Sequence, residues 1–283
     1  MIMRRLEYAT LHSPGCSLGD CVYLAVERNT RDIQLSEADR LNSYPATPFP
    51  SISWILDGQL HMVDGFGERA PTLGPPLPKV VFSGPTRSPS ISWSPGAVHV
   101  LTVSFYPEAL ARLLDISIEQ YVSSVLPLEQ VKSGDRLNQL ATIQFGRESS
   151  PFAEVQNVLN RLWSNEASRQ TSDIRGWLER LAMEAASNVG MKGRRSMQRL
   201  VKYWTGQSLR DLELYARVEN AVSHAATVSN EDRLNFAAIA AESGFSDQSH
   251  IGREVRRVTG LPPAKLNKLV EHGEPFWLYR LLR

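Results

Sequence analysis

Two groups of basic, amide and hydroxyl side chains in the C-terminal part of the chain have the types and spacing that nucleic-acid recognition requires. The first group is Arg194, Arg195, Gln198, Arg199 and Lys202, and the second is Gln248, Ser249, His250, Arg253 and Arg256. Arginine binds phosphate or the edge of guanine, and glutamine suits the edge of adenine. Each good bidentate pair discriminates between bases by about 1–3 kcal/mol. The chemistry that these residues predict is DNA binding.

Such side chains must be carried by helices, and the pattern predicts a helix-turn-helix unit around the second group. Residues 236–243 place apolar side chains at i, i+3 and i+4, and Gly244 follows where a residue of positive φ would end that helix. On the next helix Ile251 and Val255 face inward, and Thr259 with Gly260 ends it. The alternative interpretation is a helical hairpin with one solvated polar face.

An internal repeat of this unit favours the DNA-binding interpretation. A shift of 54 residues places Gly244 on Gly190, Arg253 on Arg199, Val255 on Val201, and Thr259-Gly260 on Thr205-Gly206. The two copies differ at the start of the second helix. Ser246 is a candidate N-cap in the second copy, whereas Lys192 and Gly193 occupy the equivalent positions of the first. The first copy is therefore predicted to lack a side-chain cap.

Residues 171–283 resemble the DNA-binding domain of the AraC/XylS family of bacterial transcription regulators. The matching stretches are RRSMQRLVKYWTG (194–206) and IAAESGFSDQSHIGREVRRVTGLPP (239–263). The resemblance implies helix-turn-helix units at about 174–206 and 232–263, joined by a long helix predicted at 209–226. The second helix of each unit, here called its reader helix, would enter the major groove. The two reader helices would occupy successive grooves, separated by roughly one DNA turn of 34 Å.

The resemblance also assigns roles to individual side chains. It implies base reading by Gln248, Ser249 and Arg253, and by the equivalent residues Arg195, Gln198 and Arg199. Arg194 and Lys202 are better placed for phosphates, and Arg256 either holds a phosphate or is a surface residue. His250 either touches a phosphate or a thymine methyl group, or packs as a neutral side chain.

The first 105 residues predict a β-rich unit. Short strands are expected at 21–27, 51–56, 59–63, 79–83, 90–93 and 98–105, with a two-residue hairpin at Asp57-Gly58 and a Gly/Pro-rich loop at 64–78. Helices are predicted from Pro107 onward. VVFSGPTRSPS (80–90), FYPEALARLL (105–114) and SSVLPLEQV (123–131) resemble the cupin-like sensing domain of one branch of the same family. The expected fold is therefore α+β in two domains: a β-barrel with flanking helices at 1–165, and an all-α DNA-binding domain at 166–283.

A ligand pocket is a hypothesis for the β-rich domain. His99 is in phase with Leu101, Val103 and Phe105, so it is expected to face the barrel interior. Trp54, Phe82 and Trp93 lie on other predicted strands, and together they would form a pocket for a small, partly apolar effector. The alternative is a packed core with one satisfied histidine. No charged cluster in the sequence indicates an anionic ligand.

Charge and composition agree with these assignments. Residues 1–170 hold 14 Lys and Arg against 17 Asp and Glu, a balance of −3, while residues 171–283 hold 17 against 13, a balance of +4. Residues 192–202 contain five basic residues and no acid, which favours phosphate contacts. Cys16 and Cys21 have no further zinc ligands nearby. The sequence has no apolar run of 18 residues and no secretory signal, so a cytoplasmic protein is expected.

The chain is therefore expected to be a non-enzymatic, effector-responsive regulator that binds promoter DNA without a cofactor or metal. Activation through RNA polymerase is implied by the family. Two alternatives stay open: a repressor or architectural protein whose N-terminal domain only dimerises, and a cupin-type metal enzyme. The enzyme would need convergent ligands, whereas His12, His61 and His99 are isolated in sequence. The helix predicted at 151–163 has an apolar face that either packs in the core or forms a homodimer interface. The segment 275–283 is apolar enough to dock on the body.

Overall fold

The computed structural model describes residues 4–64, 71–131, 134–146, 149–163, 173–189, 193–227 and 248–282. The described strands are β1 (Arg4–Leu6), β2 (Ala9–His12), β3 (Val22–Asn29), β4 (Leu41–Tyr44), β5 (Ser51–Asp57), β6 (His61–Asp64), β7 (Thr72–Pro76), β8 (Val80–Ser83), β9 (Ser90–Trp93), β10 (His99–Phe105) and β11 (Val125–Pro127). The described α-helices are α1 (Pro107–Leu114), α2 (Asp135–Ala141), α3 (Pro151–Leu162), α4 (Ile174–Val189), α5 (Arg194–Thr205), α6 (Leu209–Thr227), α7 (Gln248–Thr259), α8 (Pro263–His272) and α9 (Trp277–Leu282). The fold is α+β, as the sequence predicts. None of these helices is long and apolar enough to cross a membrane.

The strands form two antiparallel sheets rather than the predicted closed barrel. One sheet has seven strands in the order β1-β2-β3-β10-β5-β8-β11, and the other has four in the order β4-β9-β6-β7. No pairing joins the two sheets among the described strands. Hydrophobic alternation specifies which side chains share a face of a strand, but closure depends on pairing between strands that are distant in sequence.

The turn at Asp57-Gly58 illustrates this difference. The sequence predicts a two-residue hairpin, but β5 pairs with β10 and β8, whereas β6 pairs with β7 and β9. The turn therefore carries the chain from one sheet to the other. Gly58 has φ of 77°, and a Cβ there would lie 2.3 Å from the carbonyl oxygen of Ala97, so glycine is needed at this corner. The predicted loop at 64–78 also contains β7.

The seven-stranded sheet carries the main core on the face covered by helices. Leu101, Val103 and Phe105 of β10 are fully buried in one cluster with Leu110 and Leu113 of α1. The apolar face predicted for α3 also belongs to this cluster, through Val155, Val158 and Leu159. That face is therefore core rather than a subunit interface.

The core continues into the C-terminal helices. Trp177 of α4 is fully buried, with its ring 5.0 Å from that of Phe49 and 6.2 Å from that of Tyr106. Its Nε1–H donates to Oε1 of Glu108 at 3.0 Å. Burial raises the pKa of Glu108 above its ordinary value, and hydrogen bonds from the backbone and from Trp177, with the nearby Arg180, oppose the rise. The expected linker at 164–172 lies outside the described residues.

The closing segment docks on the strands, as its apolar composition predicts. The indole N–H of Trp277 donates to Oδ1 of Asn42 at 2.9 Å, and the Arg28 guanidinium lies 4.5 Å from the centre of the Trp277 ring. Glu274 accepts hydrogen bonds from Arg28 at 3.2 Å and from Arg280 at 2.8 Å. The end of the chain is thus attached to β3 and β4 through buried rings and paired charges.

Candidate nucleic-acid interface and ligand cleft

The two predicted reader helices are α5 and α7, each of 12 residues. Both end in the same hydrogen-bonded motif. Thr205 Oγ1 donates to the carbonyl of Val201, and its oxygen accepts from the amide of Gln207. Thr259 does the same with Val255 and Leu261. The glycine that follows each threonine has positive φ, 71° at Gly206 and 79° at Gly260. The repeat seen in the sequence is therefore reproduced at the level of individual atoms.

All five predicted contact residues on α5 are exposed to solvent. Val201 is buried, whereas the exposed side chains are Arg194, Arg195, Gln198, Arg199 and Lys202. The N-cap residue of α5 is Gly193, which makes no side-chain cap hydrogen bond, in agreement with the predicted absence of a cap. Lys202 forms an ion pair of 3.3 Å with Glu119 of the N-terminal part, which sequence reasoning did not anticipate.

On α7 the exposed basic residues are Arg253, Arg256 and Arg257, and Ile251 and Val255 are buried. Arg257 donates to Asp211 of α6 at 2.8 Å. Burial raises the pKa of Asp211, but hydrogen bonds from Ser208 and Arg257 outweigh it, so the net shift is downward. This carboxylate is therefore ionised at neutral pH and ties α7 to α6.

Three predicted contact residues lie at the start of α7, and the structure describes the side chain of only one of them, His250. Gln248 and Ser249 open α7, but their side chains lie outside the described part. His250 is half-buried, with Nε2 3.4 Å from Oε1 of Glu254 one turn later. This contact favours the packing interpretation of His250 over a direct DNA contact. The preceding helix and turn at 236–247, including Gly244 and Ser246, also lie outside the described residues.

A cleft of about 850 Å³ lies between the helix-facing side of the seven-stranded sheet and the segment that joins α2 to α3. Its apolar lining includes Ile143, Phe145 and Val80, and its polar lining includes Asn29, Gln144 and Ser149. Two cations also line it, Arg31 beyond β3 and Lys79 before β8. The sequence indicated no charged cluster, because these two residues are 48 positions apart.

On one wall of the cleft lie His99 and Glu27, and the Glu27 carboxylate is shared with a second histidine, His12 of β2. Nε2 of His99 lies 2.8 Å from Oε1 of Glu27, and Nε2 of His12 lies 3.1 Å from its Oε2. Because an ionised carboxylate only accepts hydrogen bonds, both imidazoles donate Nε2–H. These bonds, first that from His12 and then that from His99, lower the pKa of Glu27 to about 2 against the opposing effect of burial. The Glu27 carboxylate is therefore ionised and fully hydrogen-bonded.

The four residues predicted to form a pocket are not all brought together. Trp54 and His99 line the cleft, and the Trp54 indole donates to the carbonyl of Leu140 at 3.0 Å. Phe82 is fully buried against Tyr121, with ring centres 5.3 Å apart. Trp93 belongs to the four-stranded sheet and donates to the carbonyl of Glu37.

The expectation that His99 faces a barrel interior is also corrected. Its side of β10 carries Leu101, Val103 and Phe105, and this is the side that the helices cover. The opposite side contributes Val100 to a separate small cluster with Ile55 and Val81. Periodicity correctly groups the residues of one face but does not say which layer covers that face.

Comparison with known proteins finds one domain model that matches most of the repeated region. A model described as a helix-turn-helix domain matches residues 185–268. No curated protein matches the sequence. Among solved structures, apo ToxT from Vibrio cholerae is 14% identical, with 86% of this chain and 95% of that chain covered at a TM-score of 0.37. ToxT with a bound unsaturated fatty acid is 14% identical over 80% and 93%, at 0.32. HEPD from Streptomyces albus, with 2-hydroxyethylphosphonate and Fe(II) bound, is 12% identical over 75% and 45%, at 0.25.

Proposed function

We infer that this protein, whose residues 185–268 match a helix-turn-helix domain model, is a sequence-specific DNA-binding transcription regulator of the AraC type. The observation that carries the inference is the duplicated reader helix. Two 12-residue helices end in the same Thr-Gly motif and present an arginine, Arg199 or Arg253, at the same exposed position. An ordinary solvated surface helix would not require a second helix with the same Thr-Gly end and the same exposed arginine.

The residues divide into two proposed roles. Arg199 and Arg253 read bases, because a guanidinium binds the O6 and N7 atoms of guanine in bidentate geometry. The other proposed base contacts are Arg195 and Gln198 on α5, and Gln248 and Ser249 on α7. Arg194, Lys202 and Arg256 are proposed to hold phosphates and so to fix the position of each helix on the duplex.

The test is selection of genomic fragments by the full chain, followed by mobility shifts on an enriched fragment at near-physiological salt. We expect Arg253→Ala and Arg199→Ala each to weaken specific binding by about 5- to 150-fold, which corresponds to about 1–3 kcal/mol. Arg161→Ala removes the same charge from an exposed position of α3 and should have no effect. Failure to enrich any fragment would refute the proposed function.

The cleft supports a second part of the proposal, that the protein responds to an effector. Its lining combines two cations, Arg31 and Lys79, with the apolar side chains Ile143 and Phe145. The carbonyl of Lys79 accepts a hydrogen bond from the amide of Ile55, but its side chain is exposed and has no ion pair with a described residue, so the ammonium charge is available to a ligand. We propose a small organic anion that places its charge between the cations and its apolar edge against Phe145.

This part is tested by thermal melting of the full chain with benzoate and with its uncharged analogue benzamide. Binding to the folded state raises the melting temperature by mass action. We expect benzoate, but not benzamide, to raise it, and Lys79→Met to abolish the effect while retaining most of the apolar contact of the side chain. Equal shifts with both compounds, or none, would contradict an anion-binding cleft and leave the DNA-binding proposal intact.

The direction of regulation and the assembly are proposals taken from the AraC-type resemblance. Activation through contact with RNA polymerase is proposed, and repression is the alternative. Transcription from a selected promoter with purified polymerase separates them, because added protein raises transcript levels in the first case and lowers them in the second. Such a protein acts in the compartment that holds the DNA. Sedimentation at increasing concentration tests whether it also forms a homodimer.

A further inference from the structure

The C-terminal ends of both reader helices are contacted by the N-terminal part of the chain. We call this region the junction, and define it by Ala46, Arg87 and Glu119 on the N-terminal side and by Gly206 and Val258 on the reader side. The last carbonyls of a helix have no partner within the helix and carry a partial negative charge. Both reader helices obtain partners for such carbonyls from the N-terminal part.

At the end of α5 the contact is close and charged. Nη2 of Arg87 donates to the carbonyl oxygen of Gly206 at 3.2 Å, where a cation also complements the helix dipole. Gly206 itself faces the backbone of Glu119 and the side chain of Val122, and a Cβ would lie 3.1 Å and 2.5 Å from them. The side chain of Glu119 then pairs with Lys202 of the same helix.

At the end of α7 the contact is a backbone hydrogen bond. The amide of Ala46 donates to the carbonyl oxygen of Val258 at 2.7 Å. A second connection comes from α6, because Arg257 of α7 is paired with Asp211 near the start of α6. The end of α7 is thus held both by the N-terminal part and by the helix that joins the two copies.

The two N-terminal segments that make these contacts are themselves joined. The amide of Thr86 donates to the carbonyl of Thr47 at 2.8 Å, and the amide of Thr47 donates to Oγ1 of Thr86 at 3.1 Å. Tyr215 of α6 donates its hydroxyl proton to the carbonyl of Thr86 at 2.8 Å. Oε1 of the Gln207 side chain lies 2.9 Å from the same hydroxyl, which links the end of α5 to this network. A continuous path of hydrogen bonds therefore runs from α5 through the N-terminal part to α7.

We propose that Arg87 and Tyr215 are positioning residues that set the separation of the two reader helices, so that the N-terminal part determines the spacing of the half-sites that the protein reads. The proposal rests on the proposed DNA-binding function and extends it. Neither residue needs to touch DNA: Arg87 lies in the N-terminal part, and the Tyr215 side chain is buried. Both act through the placement of α5 and α7. The two readers bind one duplex together only when their separation matches the pitch of the DNA.

The experiment compares two DNA fragments: a selected site with its native spacing, and the same site with about 5 bp, half a helical turn, inserted between the half-sites. Affinities are measured for the full chain and for Arg87→Ala and Tyr215→Phe. Arg136→Ala is the matched control, because Arg136 also donates to a backbone carbonyl, that of Leu113, but lies away from the junction. Melting temperatures confirm that each variant is folded.

We expect the wild type to lose at least about 30-fold in affinity when the spacing changes, since one reader then faces the wrong side of the duplex. The junction variants should bind the native site about 3- to 10-fold more weakly than the wild type, and should bind the expanded site with the same affinity as the wild type. The ratio of affinity for the native site to affinity for the expanded site therefore falls. A ratio unchanged in both variants, with specific binding by the wild type intact, would overturn this inference alone. Absence of specific binding by the wild type would instead overturn the proposed function on which it rests.

Discussion

Replacement of Gly206 by alanine tests the packing of the N-terminal part against α5. Gly206 has φ of 71° and is almost completely buried between the end of α5 and residues 119–122. An alanine there pays about 1–2 kcal/mol for the left-handed backbone conformation. Its Cβ would also lie 2.5 Å from Cγ2 of Val122, and overpacking of this kind costs about 1–3 kcal/mol. The expected loss of stability is therefore about 2–5 kcal/mol.

Gly260 provides the matched control because it occupies the same position in the second copy. Its φ is 79°, so Gly260→Ala pays the same backbone cost, but the residue is only half-buried. The control should therefore lose only about 1–2 kcal/mol. The difference between the two variants isolates the steric contact with the N-terminal part from the conformational preference of glycine.

The assay is thermal unfolding of the two variants and the wild type at equal protein concentration. A loss of 1 kcal/mol lowers the melting temperature by about 2–4 °C for a chain of this size class. We expect Gly206→Ala to lower it by at least about twice as much as Gly260→Ala. Equal losses would mean that Val122 and Glu119 do not pack against the end of α5 in solution, and would also remove the structural basis of the junction.

Three further predictions follow from single contacts. Glu119→Gln should raise non-specific DNA affinity about 1.4- to 5-fold in low-salt anisotropy titrations. The reason is that its exposed ion pair with Lys202, worth about 0.2–1 kcal/mol, no longer competes with DNA for that side chain. The control Glu129→Gln removes the same charge at an exposed site and should leave the affinity unchanged. Glu27→Gln should destabilise the protein by about 1.5–3 kcal/mol above pH 5, the range for hydrogen bonds to a charged group, because the ionised carboxylate accepts from both His12 and His99. Since the pKa of Glu27 is lowered to about 2 in the folded protein, its stabilisation is complete above the pKa of the unfolded state and is lost as pH falls toward 2. The difference in urea midpoint between the wild type and Glu27→Gln should therefore narrow from pH 5 to pH 3. A difference that stays constant over this range would contradict the prediction. Gly252 lies in the interior of α7, and no described atom lies within 4 Å of the position that a Cβ would take. Gly252→Ala should therefore gain about 0.5–1 kcal/mol of stability and lose specific DNA affinity in a mobility shift. A gain in both stability and affinity would place Gly252 away from the DNA.

Local signals in the sequence were sufficient for the reader helices. The bounds of α5 and α7 follow from apolar residues at helical spacing and from the Thr-Gly pairs that end them. Both are local properties, because a threonine hydroxyl that bonds one turn back and a glycine of positive φ need only a few neighbouring residues. The 54-residue repeat added a second observation of the same pattern, which is why the exposed positions could be assigned in both copies.

The cleft and the sheets depended on contacts that are distant in the chain. Periodicity grouped His99 with Leu101 on one face of β10, but only the packing of α1 to α3 decided that helices cover that face. Arg31 and Lys79 carry no sequence signal of a shared site, and they line one cleft because β3 and β8 belong to the same sheet. A search for cations at the ends of strands predicted in one sheet could have suggested them.

The sequence by itself thus determined the helices α5 and α7, the Thr-Gly pairs that end them, and the exposed arginines that they carry. The tertiary structure alone decided which layer covers each sheet face, which cations line the cleft, and how Arg87 and Ala46 reach the ends of α5 and α7. The physical reason is the range of the interactions. Helix periodicity and capping act within a few residues. Strand pairing joins residues as far apart as Val22 and Phe105, and contacts between the N-terminal and C-terminal parts join segments separated by more than 100 residues, as Arg87 and Gly206 are.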